Sequence, residues 1–362
     1  MAPIAVYNST TTTLSEDMEP TPIQTMSHGP TIPGLPSFKS LGEKRQWQLE
    51  HMAGAFRVFA RHGYTEGMSG HISVRDPVET DAFWMNPLGV HFGMLKASDM
   101  ILVQLNGVIV RGCRNRPVNA AGFRIHAAIH KARPDVHAIC HTHSTFGRAW
   151  STFARPLEMI NQDVCNFYNA QGVYAEYGGL AFGEEEGRRI AQALGSAGKG
   201  LTLMNHGLLT VGNTVDEAAY LFRLMEKSCE AQLLAEAAAA NGLQKQIIKD
   251  EEAAYNFKMA SEAVGILDVK DTMNRFLTIC RRAYIANSSP NMSMNCSSLE
   301  ARSEPELEDF SPGSDITDIN TPIIAQHERL LNIDLKAILR WMCLTRYPSL
   351  TPSHHSSTSA QN

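Results

Sequence analysis

Ala138-Ile139-Cys140-His141-Thr142-His143-Ser144 is a short apolar run that closes in His-Thr-His. On a β-strand, residues i and i+2 project to the same side. His141 and His143 therefore present two imidazoles together at one strand end, which is what a divalent metal needs from its first two ligands. A third candidate ligand lies 63 residues on, where Asn205-His206-Gly207 interrupts two apolar segments, 201–204 and 208–211. A histidine followed by glycine at a sharp turn can project into a cleft. Three neutral imidazoles plus an open position make a catalytic type of metal site, with the rings expected within about 3–4 Å of one another. Such a set favours Zn²⁺, with Fe, Mn, Co or Ni as alternatives. The ion would act as a Lewis acid on a carbonyl or an enediolate. The competing reading is structural: an HxH pair satisfied inside a sheet and a turn histidine capping a strand end.

Outward from this stretch, apolar residues at helical spacing (Trp47, Leu49, Met52, Phe56, Phe59) predict a helix over 41–62, stopped by Gly63. A glycine loop, Gly67-Met68-Ser69-Gly70, enters an alternating strand over 71–75, with 83–85 as its hairpin partner. Residues 101–105 and 108–110 form a second hairpin through Asn106-Gly107. A helix over 120–132 ends at Arg133-Pro134-Asp135 and leads into the strand that carries His141. Further helices are predicted over 145–152, 184–194 and 216–240, the last capped by Thr214 or Asp216. Residues 155–183 read as an irregular segment of the length that often serves function. On the helix over 120–132, His126 and His130 stand at i and i+4, and one of them is expected inside, the other in solvent. These elements predict an α/β domain with a mixed or antiparallel sheet and helices on its faces.

Composition narrows the classes of function. Of 362 residues, 43% are hydrophobic and 19% charged, the net charge is -5, and no block of Lys or Arg stands out, so neither nucleic acid nor an anionic membrane is expected as a partner. No apolar run is long enough to span a bilayer. The first residues lack a secretory h-region, and the seven cysteines show no CxxC spacing and read as free thiols. A cytoplasmic location is the expectation. Residues 1–38, with six prolines and no hydrophobic periodicity, read as a disordered arm. The domain covers 39–265, and 266–362 reads as a divergent, largely disordered tail.

As a set and in order, several segments resemble the class II aldolase/adducin head-domain family. They are Gly70-His71-Ile72-Ser73-Val74-Arg75, Met85-Asn86-Pro87-Leu88-Gly89, Ile125-His126-Ala127-Ala128-Ile129 through Ala132-Arg133-Pro134-Asp135-Val136 to His141-Thr142-His143-Ser144, and Asn205-His206-Gly207 with Gly212. The resemblance implies a three-layer α/β/α domain with a central, mostly antiparallel mixed sheet. It implies a divalent metal, usually zinc, on His141, His143 and His206, a small-molecule substrate, and a homotetramer with sites at subunit boundaries. Gly70, His71, Asn86, Gly89 and Asn119 are the candidate substrate contacts.

Departures from the family pattern shape the expected chemistry. Sugar-phosphate aldolases of this family carry Ser-Ser-Glu four residues before the helix histidine. Counting back from His126, the Glu position is Gly122 and the serines are Ala120 and Ala121. The Asn of the family's glycine loop is His71, and the Ser of its Pro-Ser-Gly turn is Leu88. The proton-transfer base and the phosphate contacts are thus replaced together, which argues against a sugar phosphate. A metal-dependent carbon–carbon lyase remains the expectation, acting by aldol or retro-aldol cleavage with Tyr168 or His91 taking the hydroxyl proton. Metal-dependent decarboxylation of a hydroxy-acid, which needs an electron sink and no such base, is one alternative. A non-catalytic, adducin-like head used for assembly is the other.

Overall fold

Period-2 and period-3.6 segments alternate from Leu41 onward, and they build one sheet with helices on both faces. The computed structural model describes residues 22–26, 28–29, 35–179 and 183–260. After a short α1 (Pro22–Met26) come α2 (Leu41–Arg61), β1 (His71–Arg75), β2 (Ala82–Met85), β3 (Ile101–Gln104), β4 (Ile109–Gly112), α3 (Ala120–Ala132) and β5 (Ala138–Thr142). Then follow α4 (Thr145–Ser151), β6 (Gln171–Tyr174), α5 (Glu184–Leu194), β7 (Gly200–Leu203), β8 (Gly207–Gly212) and α6 (Val215–Ala239). The strand order is β4-β3-β2-β1-β5-β8-β7-β6. Neighbours are antiparallel except β6 and β7, which are parallel. This is the three-layer α/β/α arrangement with a mostly antiparallel mixed sheet.

Alternation along β5 sorts the two cores. Ala138 and Cys140 face α2 and α6, where Met52, Phe56, Phe59, Phe222 and Met225 pack with Ile72 and Val74. Ile139 faces α3 and α5, where Ile125, Ile129, Ile190 and Leu194 pack with Leu201, Leu209 and Val211. Each fully buried large apolar side chain contributes about 1.5–3 kcal/mol. By the same alternation His141 and, on the neighbouring β1, His71 and Ser73 share the α3 side.

Two features differ from the sequence reading. The segment 155–183 holds a 3₁₀ turn (Asp163–Phe167) and the strand β6, which pairs with β7. Gln171, Gly172 and Val173 are only half-buried at the sheet edge, so they carry no alternation to read. Before the domain, α1 is helical where the arm was expected to have no structure. The rest of residues 1–21 and the tail from 261 lie outside the described residues. Among the cysteines, Cys113, Cys140, Cys165 and Cys229 are free thiols, and no described helix is long and apolar enough to cross a membrane.

The strand end that carries the histidines is tied down by Glu226, a buried carboxylate in the middle of α6. Its Oε2 accepts from the Ser144 hydroxyl (2.5 Å) and from the Gly147 N–H (2.7 Å), and its Oε1 accepts from the Phe146 N–H (2.9 Å). Two free N–H groups of the first turn of α4 are thereby satisfied immediately after His143. Removing the carboxylate leaves three donors without their partner, each costing about 1–3 kcal/mol when buried. Glu226→Ala is expected to lower the unfolding free energy by about 3 kcal/mol or more in urea titrations, and Glu226→Gln, which keeps one acceptor oxygen, by clearly less. Equal losses for both variants would show that the acceptors are not what matters here.

Candidate metal centre

β5 ends at Thr142, so His141 is the last inward-facing residue of the strand and His143 steps beyond it. His141 sits opposite His71 of β1 on one side and Leu209 of β8 on the other. His206 arrives from the β7–β8 turn, where Asn205 is in the left-handed region (φ 55°). Gly207 allows the close approach. At its φ of 153° a Cβ would lie 2.8 Å from the Thr142 carbonyl oxygen, inside contact distance.

The three rings meet. Ring centroids are 4.7 Å apart for His141–His206 and His143–His206, and 5.2 Å for His141–His143. One ring nitrogen from each lies within 4.8 Å of the other two. This is wider than the expected 3–4 Å. His141 is buried, and His143 and His206 are half-buried.

The chemistry of the donors fits a cation. His141 Nδ1 donates to the Leu208 carbonyl at 2.8 Å, which leaves its Nε2 as a bare lone pair. That Nε2 is buried and has no hydrogen-bond partner among the described residues. A buried acceptor left unmade costs about 1–3 kcal/mol, which an ion at this point would recover. All three rings are held neutral. Burial, then the neighbouring His206, His71 and His143, pushes His141 well below the ordinary imidazole range. Burial, then Arg148, lowers His143. Burial, then His143, pushes His206 down to about 4. Neutral imidazole is the ligating form.

Next to the three rings stands His71, its ring centroid 4.8 Å from that of His141. Its seat is the surface of Gly122. A Cβ at position 122 would lie 2.4 Å from Cδ2 and 2.5 Å from Nε2 of His71. The imidazole therefore occupies the space into which any side chain at 122 would start. The two departures noted in the sequence, histidine at 71 and glycine at 122, are one steric exchange. Behind His71 run His126, Ser73 and His130, all buried. The expectation that either His126 or His130 faces solvent is wrong. The helix spacing placed them on one face, and that face lies against the polar side of β1.

Other expected site residues have different surroundings. Asn119 caps α3, its Oδ1 accepting from the Gly122 N–H at 2.9 Å. Asn86 is buried and accepts from the Ile72 N–H (3.4 Å), holding the backbone of β1. Gly70 lies beside the site, where a Cβ would come within 2.9 Å of the Phe92 ring and 3.2 Å of the His141 carbonyl oxygen. Gly89 is in an open turn (φ 78°). His91 is exposed, and its Nδ1 accepts from the Gly93 N–H (3.1 Å), capping a 3₁₀ turn. Tyr168 is half-buried and follows the 3₁₀ turn. Neither ring contacts the three imidazoles. The tyrosine that shares a crevice with His206 is Tyr174, together with Glu176 and Tyr177. β6 puts it there, because Tyr174 pairs with Leu203, just before the turn that carries His206.

Residues 50–233 match the model of the "Class II Aldolase and Adducin N-terminal domain" family, and the chain belongs to that family. The chain is 47% identical over 216 residues to "Meiotically up-regulated gene 14 protein" of Schizosaccharomyces pombe, covering 60% of this chain and 83% of that protein. It is 43% identical over 205 residues to "Decarboxylase NovR" of Streptomyces niveus, covering 56% of this chain and 75% of that protein. Among solved structures, L-fuculose 1-phosphate aldolase from Glaciozyma antarctica PI12 superposes with a TM-score of 0.62 at 39% identity, covering 69% of this chain and 96% of that one.

The seat of His71 yields a direct test. Alanine is worth about 1 kcal/mol over glycine inside a helix, but forcing a methyl group into the imidazole costs about 1–3 kcal/mol. Gly122→Ala is expected to destabilise the protein, and the same change in a His71→Asn background to be neutral or stabilising. Urea unfolding of the four proteins should give a coupling of about 1 kcal/mol or more. Additive effects would mean that the two positions do not share this space.

Proposed function

We propose that the protein is a divalent-metal-dependent carbon–carbon lyase acting on a small hydroxy- or oxo-acid, and that sugar phosphates are not its substrates. The observation that carries this reading is the buried, unpartnered Nε2 of His141, on a ring 4.7 Å from that of His206 and 5.2 Å from that of His143. Zn²⁺ is the first choice of ion for three imidazoles. When bound, such an ion supplies Lewis acidity, drawing electrons from the substrate's oxygen atoms.

The remaining roles fall to the chain. His141 Nδ1, held by the Leu208 carbonyl, keeps one tautomer and one ring orientation. Glu226 fixes the backbone that carries His143. Position 122 offers no carboxylate, so a route that begins with removal of a C–H proton lacks a base there; such a base is worth on the order of 10²–10⁴-fold. Loss of carbon dioxide needs only an electron sink. The 43% identical relative named as a decarboxylase supports this branch of lyase chemistry. Retro-aldol cleavage is the second reading, favoured by Tyr174, which lines the crevice beside His206 together with Glu176. Neither Tyr168 nor His91 is assigned that proton transfer. The working form in this reading is a cytoplasmic homotetramer.

The test begins with metal. Protein purified without added metal is expected to carry about one ion per chain by mass spectrometry, with His141→Ala weakening binding by more than the roughly 10–100-fold typical of changes behind the ligands. The loaded protein is then offered 2-hydroxy-3-oxo acids, whose 3-carbonyl takes the electron pair as carbon dioxide leaves, 4-hydroxy-2-oxo acids, whose 2-carbonyl takes it as an aldehyde leaves, and L-fuculose 1-phosphate. Release of carbon dioxide from the first or of an aldehyde from the second, with no turnover of the sugar phosphate, is the expected result. Failure to take up any of zinc, iron or manganese, or turnover of the sugar phosphate, would overturn the proposal.

A further inference from the structure

Between β1 and α3 runs an unbroken file of buried hydrogen bonds. His71 Nδ1 is 2.7 Å from His126 Nε2, His126 Nδ1 is 2.6 Å from Ser73 Oγ, and Ser73 Oγ is 2.8 Å from His130 Nε2. The file ends where His130 Nδ1 meets the Val136 carbonyl oxygen at 3.3 Å. All three rings are buried and no carboxylate takes part in the file, so each ring is neutral and carries one N–H.

The direction of every bond follows from the closed end. A carbonyl oxygen only accepts, so His130 Nδ1 must be the donor to Val136. The Nη2 of Arg75 also lies 3.3 Å from His130 Nδ1, but its two hydrogens have carbonyl acceptors enough in His130 (2.6 Å) and Arg133 (3.3 Å). With Nδ1 protonated, His130 Nε2 accepts from the Ser73 hydroxyl. Ser73 then accepts from His126 Nδ1–H, and His126 Nε2 accepts from His71 Nδ1–H. The open end is His71 Nε2, a bare lone pair with no donor among the described residues. It sits over Gly122, on a ring 4.8 Å from that of His141.

We propose that His71 presents Nε2 as a fixed hydrogen-bond acceptor to a hydroxyl of the bound substrate, and that His126, Ser73 and His130 are positioning residues that lock this tautomer. The inference rests on the metal-centre reading above and narrows it. An acceptor at this point recognises a 2-hydroxy acid and gains nothing from a 2-oxo or 2-deoxy acid, whose atoms at that place offer no hydrogen. The glycine at 122 is what makes room for the acceptor.

Two measurements on the full chain test this. In the first, ¹⁵N-histidine-labelled protein is examined by long-range ¹H–¹⁵N NMR, which separates the two neutral tautomers. His71 is expected with Nδ1 protonated and Nε2 bare. Ser73→Ala removes the acceptor for His126 Nδ1–H and is expected to change the tautomers of His126 and His71, whereas Ser73→Thr, which keeps the hydroxyl, restores them. In the second, zinc-loaded protein is titrated calorimetrically with mandelate, phenylglyoxylate and phenylacetate. One neutral hydrogen bond corresponds to a preference of about 3–10-fold for mandelate, expected in the wild type and in Ser73→Thr and lost in Ser73→Ala at unchanged zinc content. A protonated Nε2 on His71, or a Ser73→Ala protein with tautomers and preference intact, overturns the inference. Wild-type protein that holds zinc but shows no preference among the three acids overturns the hydroxyl assignment. A chain that takes up no zinc contradicts the metal-centre reading instead, and the tautomer spectra still decide the inference.

Discussion

The pairing of β5 with β1 and β8 is the constraint on which the rest depends. It sets His141 directly opposite His71 on one side and brings Leu208 within reach of its Nδ1 on the other. A one-residue slip would turn His141 toward the α2/α6 core and Cys140 toward the site. Such a slip is opposed by the alternating burial of Ala138, Ile139 and Cys140 in two different apolar cores. The hydrophobic pattern of the strand thus fixes the register, and the register fixes where His141 stands among the other imidazoles.

Around this register the polar groups form two connected systems. On one side, three neutral imidazoles meet with a lone pair that nothing in the described chain satisfies. On the other, a buried file of histidines and one serine runs back to a backbone carbonyl and ends forward in a second free lone pair. Buried polar groups are costly unless paired, and within the file every ring nitrogen but the one at its open end is. That open acceptor on His71 and the unpartnered one on His141 belong to adjacent rings. That is the pattern of a binding site, in which unsatisfied groups wait for a ligand.

Much of this was legible in the sequence. His141 and His143 could be read from strand alternation alone, and His206 from a glycine turn between two apolar segments. The bounds of α3 follow from the Asn119 cap and from Arg133-Pro134, and the start of α5 from the three glutamates of its first turn, which are local signals. The unread parts have non-local causes. The strand β6 is a short edge element held by parallel pairing with residues about thirty positions later, so its own sequence shows no alternation. Tyr174 rather than Tyr168 reaches the crevice for the same reason. The burial of both His126 and His130 depends on His71 and Ser73, more than fifty residues earlier in the chain. Gly122 could be seen as a missing carboxylate, but its role as the seat of an imidazole appears only when β1 and α3 are packed together. His91 and Asn119 are polar residues whose capping duties absorb the groups that would otherwise serve a substrate.

His141, His143 and His206 are proposed to hold one ion together, and X-ray absorption at the metal edge reads ligand type, number and distance at that ion. The expected first shell contains three imidazole nitrogens at about 2.0–2.1 Å, completed by oxygen. A shell with sulfur, a shell of oxygens alone, or fewer imidazoles that do not diminish in His206→Ala would contradict it.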